Sequence, residues 1–171
     1  MHTLCTGITF AVGNHLLAEG GLLGKILFSG CKLLKLKVLN GATEVLPACT
    51  PPGGDLTTEL TKGLIKLHKL GDGTLDSIIV LEPSTGTTFG VVNSGEECAF
   101  GEKILYSGKL ALKDCQNAFL TDQVTHLFEE FAPLTEIYLN GNKNNKTILD
   151  GSINVTLTGE HKGLTWAGHP G

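Results

Sequence analysis

One pattern limits what this chain can fold into more than any other: part of it is written twice. Thr6-Gly7-Ile8-Thr9-Phe10-Ala11-Val12-Gly13-Asn14 returns as Thr85-Gly86-Thr87-Thr88-Phe89-Gly90-Val91-Val92-Asn93. A hexad follows each copy, first Lys25-Ile26-Leu27-Phe28-Ser29-Gly30 and then Lys103-Ile104-Leu105-Tyr106-Ser107-Gly108. The longer motifs begin 79 residues apart (6 to 85) and the hexads 78 apart (25 to 103). Two matches in one order at nearly one offset indicate a duplicated unit. A shorter echo, Gly163-Leu164-Thr165-Trp166-Ala167-Gly168, stands near the C-terminus.

The repeated motif reads as a strand. Ile8, Phe10 and Val12 alternate with Thr9 and Ala11, which puts the apolar set on one face of a pleated chain. Ser29-Gly30 closes the strand of the first hexad, and Ser107-Gly108 is read as the matching turn of the second. Asn40-Gly41 lies between two apolar arms, residues 32–39 and 42–47. That pair is the strongest short hairpin signal, because both residues tolerate the positive φ of a type I′ turn. Pro51-Pro52-Gly53-Gly54, Gly71-Asp72-Gly73 and the polar run 140–146 are further turns.

Residues 56–70 and 120–131 fit either a helix or a strand. Gly63 weakens a helix in the first. Leu120-Thr121-Asp122-Gln123-Val124-Thr125 echoes Leu56-Thr57-Thr58-Glu59-Leu60-Thr61, so both segments should share one state, and both are read as strand. Short strands separated by Gly, Asn and Pro predict an all-β fold, an antiparallel sandwich or barrel built from two similar halves, with room for one short helix. The expected organisation is one domain, 1–171. Two pseudo-repeats (about 6–81 and 85–139) pack about a pseudo-twofold axis, and a β segment at 140–171 closes the chain.

There are five cysteines. Cys31 and Cys49 bracket the Asn40-Gly41 hairpin, and Cys98 and Cys115 bracket Ser107-Gly108, so these are the expected disulfides. Cys5 is left over as a candidate link to another subunit. No pair has the close spacing of a zinc site. Disulfides place the chain in an oxidising, secretory setting. Residues 16–28 are apolar but interrupted by Glu19, Lys25 and glycines, and no basic segment precedes them. They make a poor signal peptide, and the numbered chain is read as a mature form. No stretch reaches the ~20 apolar residues of a membrane helix.

Charge excludes some partners. All 13 basic residues are Lys and the net charge is −4. Without Arg there is no guanidinium fork to read bases or phosphates, so nucleic acid is not an expected partner. Gly20-Gly21-Leu22-Leu23-Gly24-Lys25 lacks the spacing and the following Ser or Thr of a phosphate loop. There is no G-x-S-x-G. His126 with Asp122 and Glu130 is read as a solvated polar face. Glu96-Glu97 and Glu129-Glu130 are neighbours that point to opposite sides of a strand. No catalytic constellation, cofactor or metal site is expected. Trp166, Tyr106 and Tyr138 are the candidates for stacking on a sugar ring.

Gly86-Thr87-Thr88-Phe89, Glu97-Cys98-Ala99-Phe100 and the run Gly159 to Trp166 give the second half a further likeness. It resembles uncharacterised secreted bacterial β-rich proteins, a likeness that implies secretion and a β fold and no particular activity. The expectation is therefore an extracellular or cell-envelope structural protein that is not an enzyme. It associates with copies of itself by strand addition into a fibre or surface layer. A lectin-like glycan-binding module is the alternative.

Overall fold

The computed structural model describes residues 1–10, 21–36, 42–115, 124–157 and 159–165. Two short strands open the chain, β1 (His2–Leu4) and β2 (Gly7–Phe10). β3 (Gly21–Gly24), β4 (Ile26–Ser29), β5 (Lys32–Leu36) and β6 (Thr43–Val45) follow. Two 3-10 turns, Pro47–Cys49 and Pro52–Gly54, lead into β7 (Leu56–Thr58). Next come β8 (Thr61–Lys69), β9 (Leu75–Pro83), β10 (Thr88–Asn93) and the longest strand, β11 (Lys103–Asp114). β12 (Thr125–Glu130), β13 (Glu136–Leu139), β14 (Lys146–Asp150) and β15 (Ser152–Thr156) complete the set.

The fold is all-β, with no helix of seven or more residues among the described residues. Both ambiguous segments are strand where they are described, as β7 with β8 and as β12. The strands join into one large sheet that does not close into a barrel. It is mixed rather than purely antiparallel, because β1 lies between β5 and β14 and runs parallel to β14.

β11 makes the sheet turn a corner. Its first half pairs with β10 and β13, and its second half with β9 and β12. The change falls at Gly108, which has φ +116°. A Cβ there would run into the carbonyl oxygen of Glu136 on β13, so only glycine fits both the dihedral and the space. Ser107-Gly108 is therefore a bend inside one continuous strand and not the turn that its likeness to Ser29-Gly30 suggested.

The bend folds the two limbs onto one core. Ile26, Phe28, Leu56, Phe89, Ile104 and Tyr106 come from the first limb, and Ile79, Leu81, Leu112, Phe128 and Ile153 from the second, in a single buried cluster. The duplicated hexads do the same work. Ile26 and Phe28 point inward from β4, and Ile104 and Tyr106 from β11. Rings of Phe28 and Phe89 meet with centroids 6.3 Å apart. The Tyr106 hydroxyl, deep in the core, is satisfied by Thr3 at 3.1 Å, and Thr3 in turn meets Thr147 at 3.2 Å.

Beyond that strand pair the two copies diverge. Each motif strand pairs antiparallel with its own hexad strand, but Thr9 faces Leu27 whereas Thr88 faces Ser107. A bulge between Thr88 and Gly90 accompanies the shift. On its other side β4 meets β7, while β11 meets β13. The described part of the third echo, Gly163 to Thr165, lies in turn and coil, just after a 3-10 turn at Gly159–His161. Asn40-Gly41 and Trp166 fall outside the described residues.

Candidate functional site

The site is a cleft of about 360 Å³ between the two limbs. β2 and β4 supply Ile8 and Phe28, and β11 supplies Leu110 and Leu112. Leu149 of β14 and Ile153 of β15 complete an apolar wall. The polar lining includes Glu129 and Glu130 at the end of β12, with Asp150, Gly151 and Ser152 where β14 passes into β15. Alternation along β11 and β12 explains this placement. Leu110, Leu112 and Phe128 face the core, and Glu130 follows Phe128 two positions later on the same side, where the core thins toward solvent.

Glu130 is half-buried, and its Oε1 is enclosed without a hydrogen-bond partner among the described residues. Burial pushes its carboxyl above the usual range. The nearby Asp150 adds to the rise, while Thr135, Lys146 and His2 oppose it. The Thr135 hydroxyl already donates to the Ala111 carbonyl at 3.2 Å and accepts from the Ala111 N–H at 3.1 Å. Asp150 is engaged by His2 Nδ1 at 3.0 Å. In the sequence Glu129 and Glu130 are only adjacent carboxylates on opposite faces of a strand. Nothing in that pattern shows that Glu130 would be drawn into a cleft between segments distant in sequence.

The disulfides pair differently from the expectation. They are Cys5–Cys31 and Cys49–Cys98. Cys5 is thus consumed within the chain, and Cys115 is the free thiol. The reason for the first lies in register. β1 on β5 places Leu4 opposite Lys32, and β2 on β4 places Gly7 opposite Ser29, so one register runs through both ladders and sets Cys5 against Cys31. The second follows from the 3-10 turn at Pro47–Cys49, which carries Cys49 away from β5. Gly95 N–H then donates to Ala48 O at 2.7 Å and brings the Cys98 loop alongside. Cys98 and Cys115 lie beyond opposite ends of the 12-residue β11, a strand some ~40 Å long, so they cannot bond.

Partial burial, with Glu129 and Asp114 nearby, pushes the Cys115 thiol up to about 11. It stays protonated at neutral pH and is a poor nucleophile. His126 is not on a solvated face. It is fully buried and its Nδ1 meets Asp114 Oδ2 at 2.7 Å, an ion-pair geometry within the core. Tyr106 is buried and cannot offer its ring to a sugar. Tyr138 is half-buried on β13 and does not line the cleft.

These features define a disulfide-braced all-β domain with an acidic cleft between its limbs. No protein-family model, no curated protein and no solved structure matches the chain. No helix among the described residues is long and apolar enough to cross a membrane.

Proposed function

We propose that this protein is an extracellular structural domain that associates with copies of itself by strand addition. The two disulfides support an oxidising compartment. One observation carries the self-association. β2, the first copy of the motif, has a strand neighbour on one side only among the described residues, while the third copy at Gly163 to Thr165 lies outside any strand and is exposed throughout. Leu164 shows 53% of its surface.

A segment that resembles β2 and β10 has the side-chain pattern their neighbours accept. An edge strand presents unpaired N–H and C=O groups that a further strand can satisfy. If the tail of one molecule adds to the edge of the next, the contact is head-to-tail and polymerises unless it closes into a ring. β15, paired only with β12 among the described residues, is a second open edge.

Light scattering over a range of concentrations tests this reading. The full chain should form oligomers, and a chain lacking residues 159–171 should remain a monomer of unchanged fold. A full chain that stays monomeric throughout, or a truncated chain that assembles equally well, overturns it.

A further inference from the structure

We propose that Lys113 and Asp76 condense to an isopeptide bond, a covalent link between β11 and β9 that forms after the chain has folded. The two side chains share the face of the sheet opposite to that of Ile79 and Leu112. Lys113 stands opposite Ile78, and Asp76, two positions from Ile78, is its diagonal neighbour on that face. Lys113 Nζ is 3.1 Å from Asp76 Oδ2. The Asp76 side chain is only 6% exposed, and its Oδ1 is enclosed with no hydrogen-bond partner among the described residues. Lys62–Glu82 and Lys109–Glu136 are pairs at the same distance, but all four of those side chains are at least 40% exposed. Of these three lysines, Lys113 alone meets a carboxyl group that is shielded from solvent.

Phe131 and His68 wall the pair. Lys113 Nζ lies 6.0 Å from the centroid of the Phe131 ring, and that ring meets His68, which stands opposite Asp76 on β8. As an ion pair the site holds an enclosed carboxylate oxygen without a donor, which is costly. As an amide it holds a neutral carbonyl there. The reaction balances without a co-reactant. The ammonium gives up a proton, the Nζ lone pair attacks Cγ of Asp76, and the Cγ–Oδ2 bond breaks with its electron pair going to oxygen. Two of the three Nζ protons leave with Oδ2 as water, and Oδ1 stays as the amide carbonyl. Fixing the two groups in contact supplies the drive, since well-oriented intramolecular reactions reach effective molarities of about 10⁵–10⁸ M. The Lys113 side chain is 33% exposed, which gives the water a way out. Glu129, set opposite Lys113 by the β11–β12 register, relays the protons. The inference does not depend on self-association, since both groups belong to one chain.

The test is the intact mass of the full chain, purified after folding and then denatured and reduced. The expected mass is that of the sequence less one water. Succinimide formation at Asp72-Gly73 or Asp150-Gly151 removes the same mass, so proteolysis decides the position. One branched peptide should join Asp76 to Lys113. Asp76→Ala and Lys113→Arg should each restore the full sequence mass and lose the branched peptide. Asp76→Asn should give the wild-type product, because its amide expels ammonia in place of water. If a variant does not fold, the wild-type mass and branched peptide decide the matter unaided. Freshly purified Glu129→Gln should retain its full mass in most molecules, since acid–base assistance is worth about a hundredfold in rate. A wild-type chain at full sequence mass, or a mass deficit without the Asp76–Lys113 peptide, overturns the proposal. Complete condensation in Glu129→Gln overturns the role given to Glu129.

Discussion

Cys5 and Cys31 face each other at the point where one long hairpin passes from one ladder to the next. Residues 2–4 pair with β5 and residues 7–10 with β4 in an unbroken register, and the disulfide sits in the gap between the two ladders. It spans 26 residues, and Cys49–Cys98 spans 49. In the chain-entropy account, closing loops of this size stabilises by about 3.5 and about 4 kcal/mol respectively.

Replacing both Cys5 and Cys31 by Ser should therefore lower stability by about 3.5 kcal/mol, measured by urea denaturation without reductant. Cys115→Ser should change it by less than about 0.5 kcal/mol, because that residue is exposed and outside any disulfide, and a serine hydroxyl can keep its hydrogen bond to the Lys113 carbonyl. Peptide mapping of the oxidised protein checks the pairing itself. A Cys31–Cys49 peptide would show the register to be wrong.

Gly108→Ala addresses the corner of the sheet. The new Cβ meets the Glu136 carbonyl and must also adopt a φ that L residues avoid. A loss above about 3 kcal/mol is expected. Gly141→Ala is the control. It too has positive φ, but a Cβ there meets nothing, so only the backbone cost of about 1 kcal/mol remains.

Tyr106→Phe deletes one hydroxyl from the buried chain Tyr106–Thr3–Thr147. Thr3 keeps its contact with Thr147, so no group is stranded. The expected loss is about 1 kcal/mol in chemical denaturation. A loss several times larger would mean that the hydroxyl organises more than this one contact.

Glu130 gives a pH dependence whose sign is fixed by its environment. Its folded carboxyl is raised, so the folded state holds this proton more tightly than the unfolded one. That contribution is fully present below the unfolded value, ~4.3, and is lost as pH rises through the higher folded value. Glu130→Gln should flatten this part of the stability profile and should gain relative to wild type as pH approaches neutrality. Thermal melts from pH 4 to pH 7 on both proteins measure it. Parallel profiles would rule out the assignment.

Asp72 works in the opposite sense, on the surface. The side-chain hydrogen bond from Thr74 Oγ1, 2.6 Å, and that from Thr74 N–H, 2.9 Å, hold its carboxyl below the usual range. The β8–β9 turn should therefore loosen as pH falls through the folded value of Asp72. Thr74→Val should abolish much of that dependence, read from the amide exchange of Gly73 and Thr74.

Much of the local structure was present in the sequence, for reasons that are themselves local. Alternation in the hexads put Ile26, Phe28, Ile104 and Tyr106 inward, and pleating requires no more than that. Gly53, Gly73 and Gly141 mark turns because their φ is positive.

What the residues alone could not settle was which strands become neighbours. Ser29-Gly30 and Ser107-Gly108 are the same dipeptide, yet one ends a strand and the other bends one, because only the second has β13 against it. The cysteine pairs, the burial of His126 on Asp114 and the enclosure of Glu130 depend on contacts between segments distant in sequence. Side-chain period is a property of each strand by itself. Register and the order of strands in a sheet minimise the free energy of the whole chain, and the cleft exists only as a result of that choice.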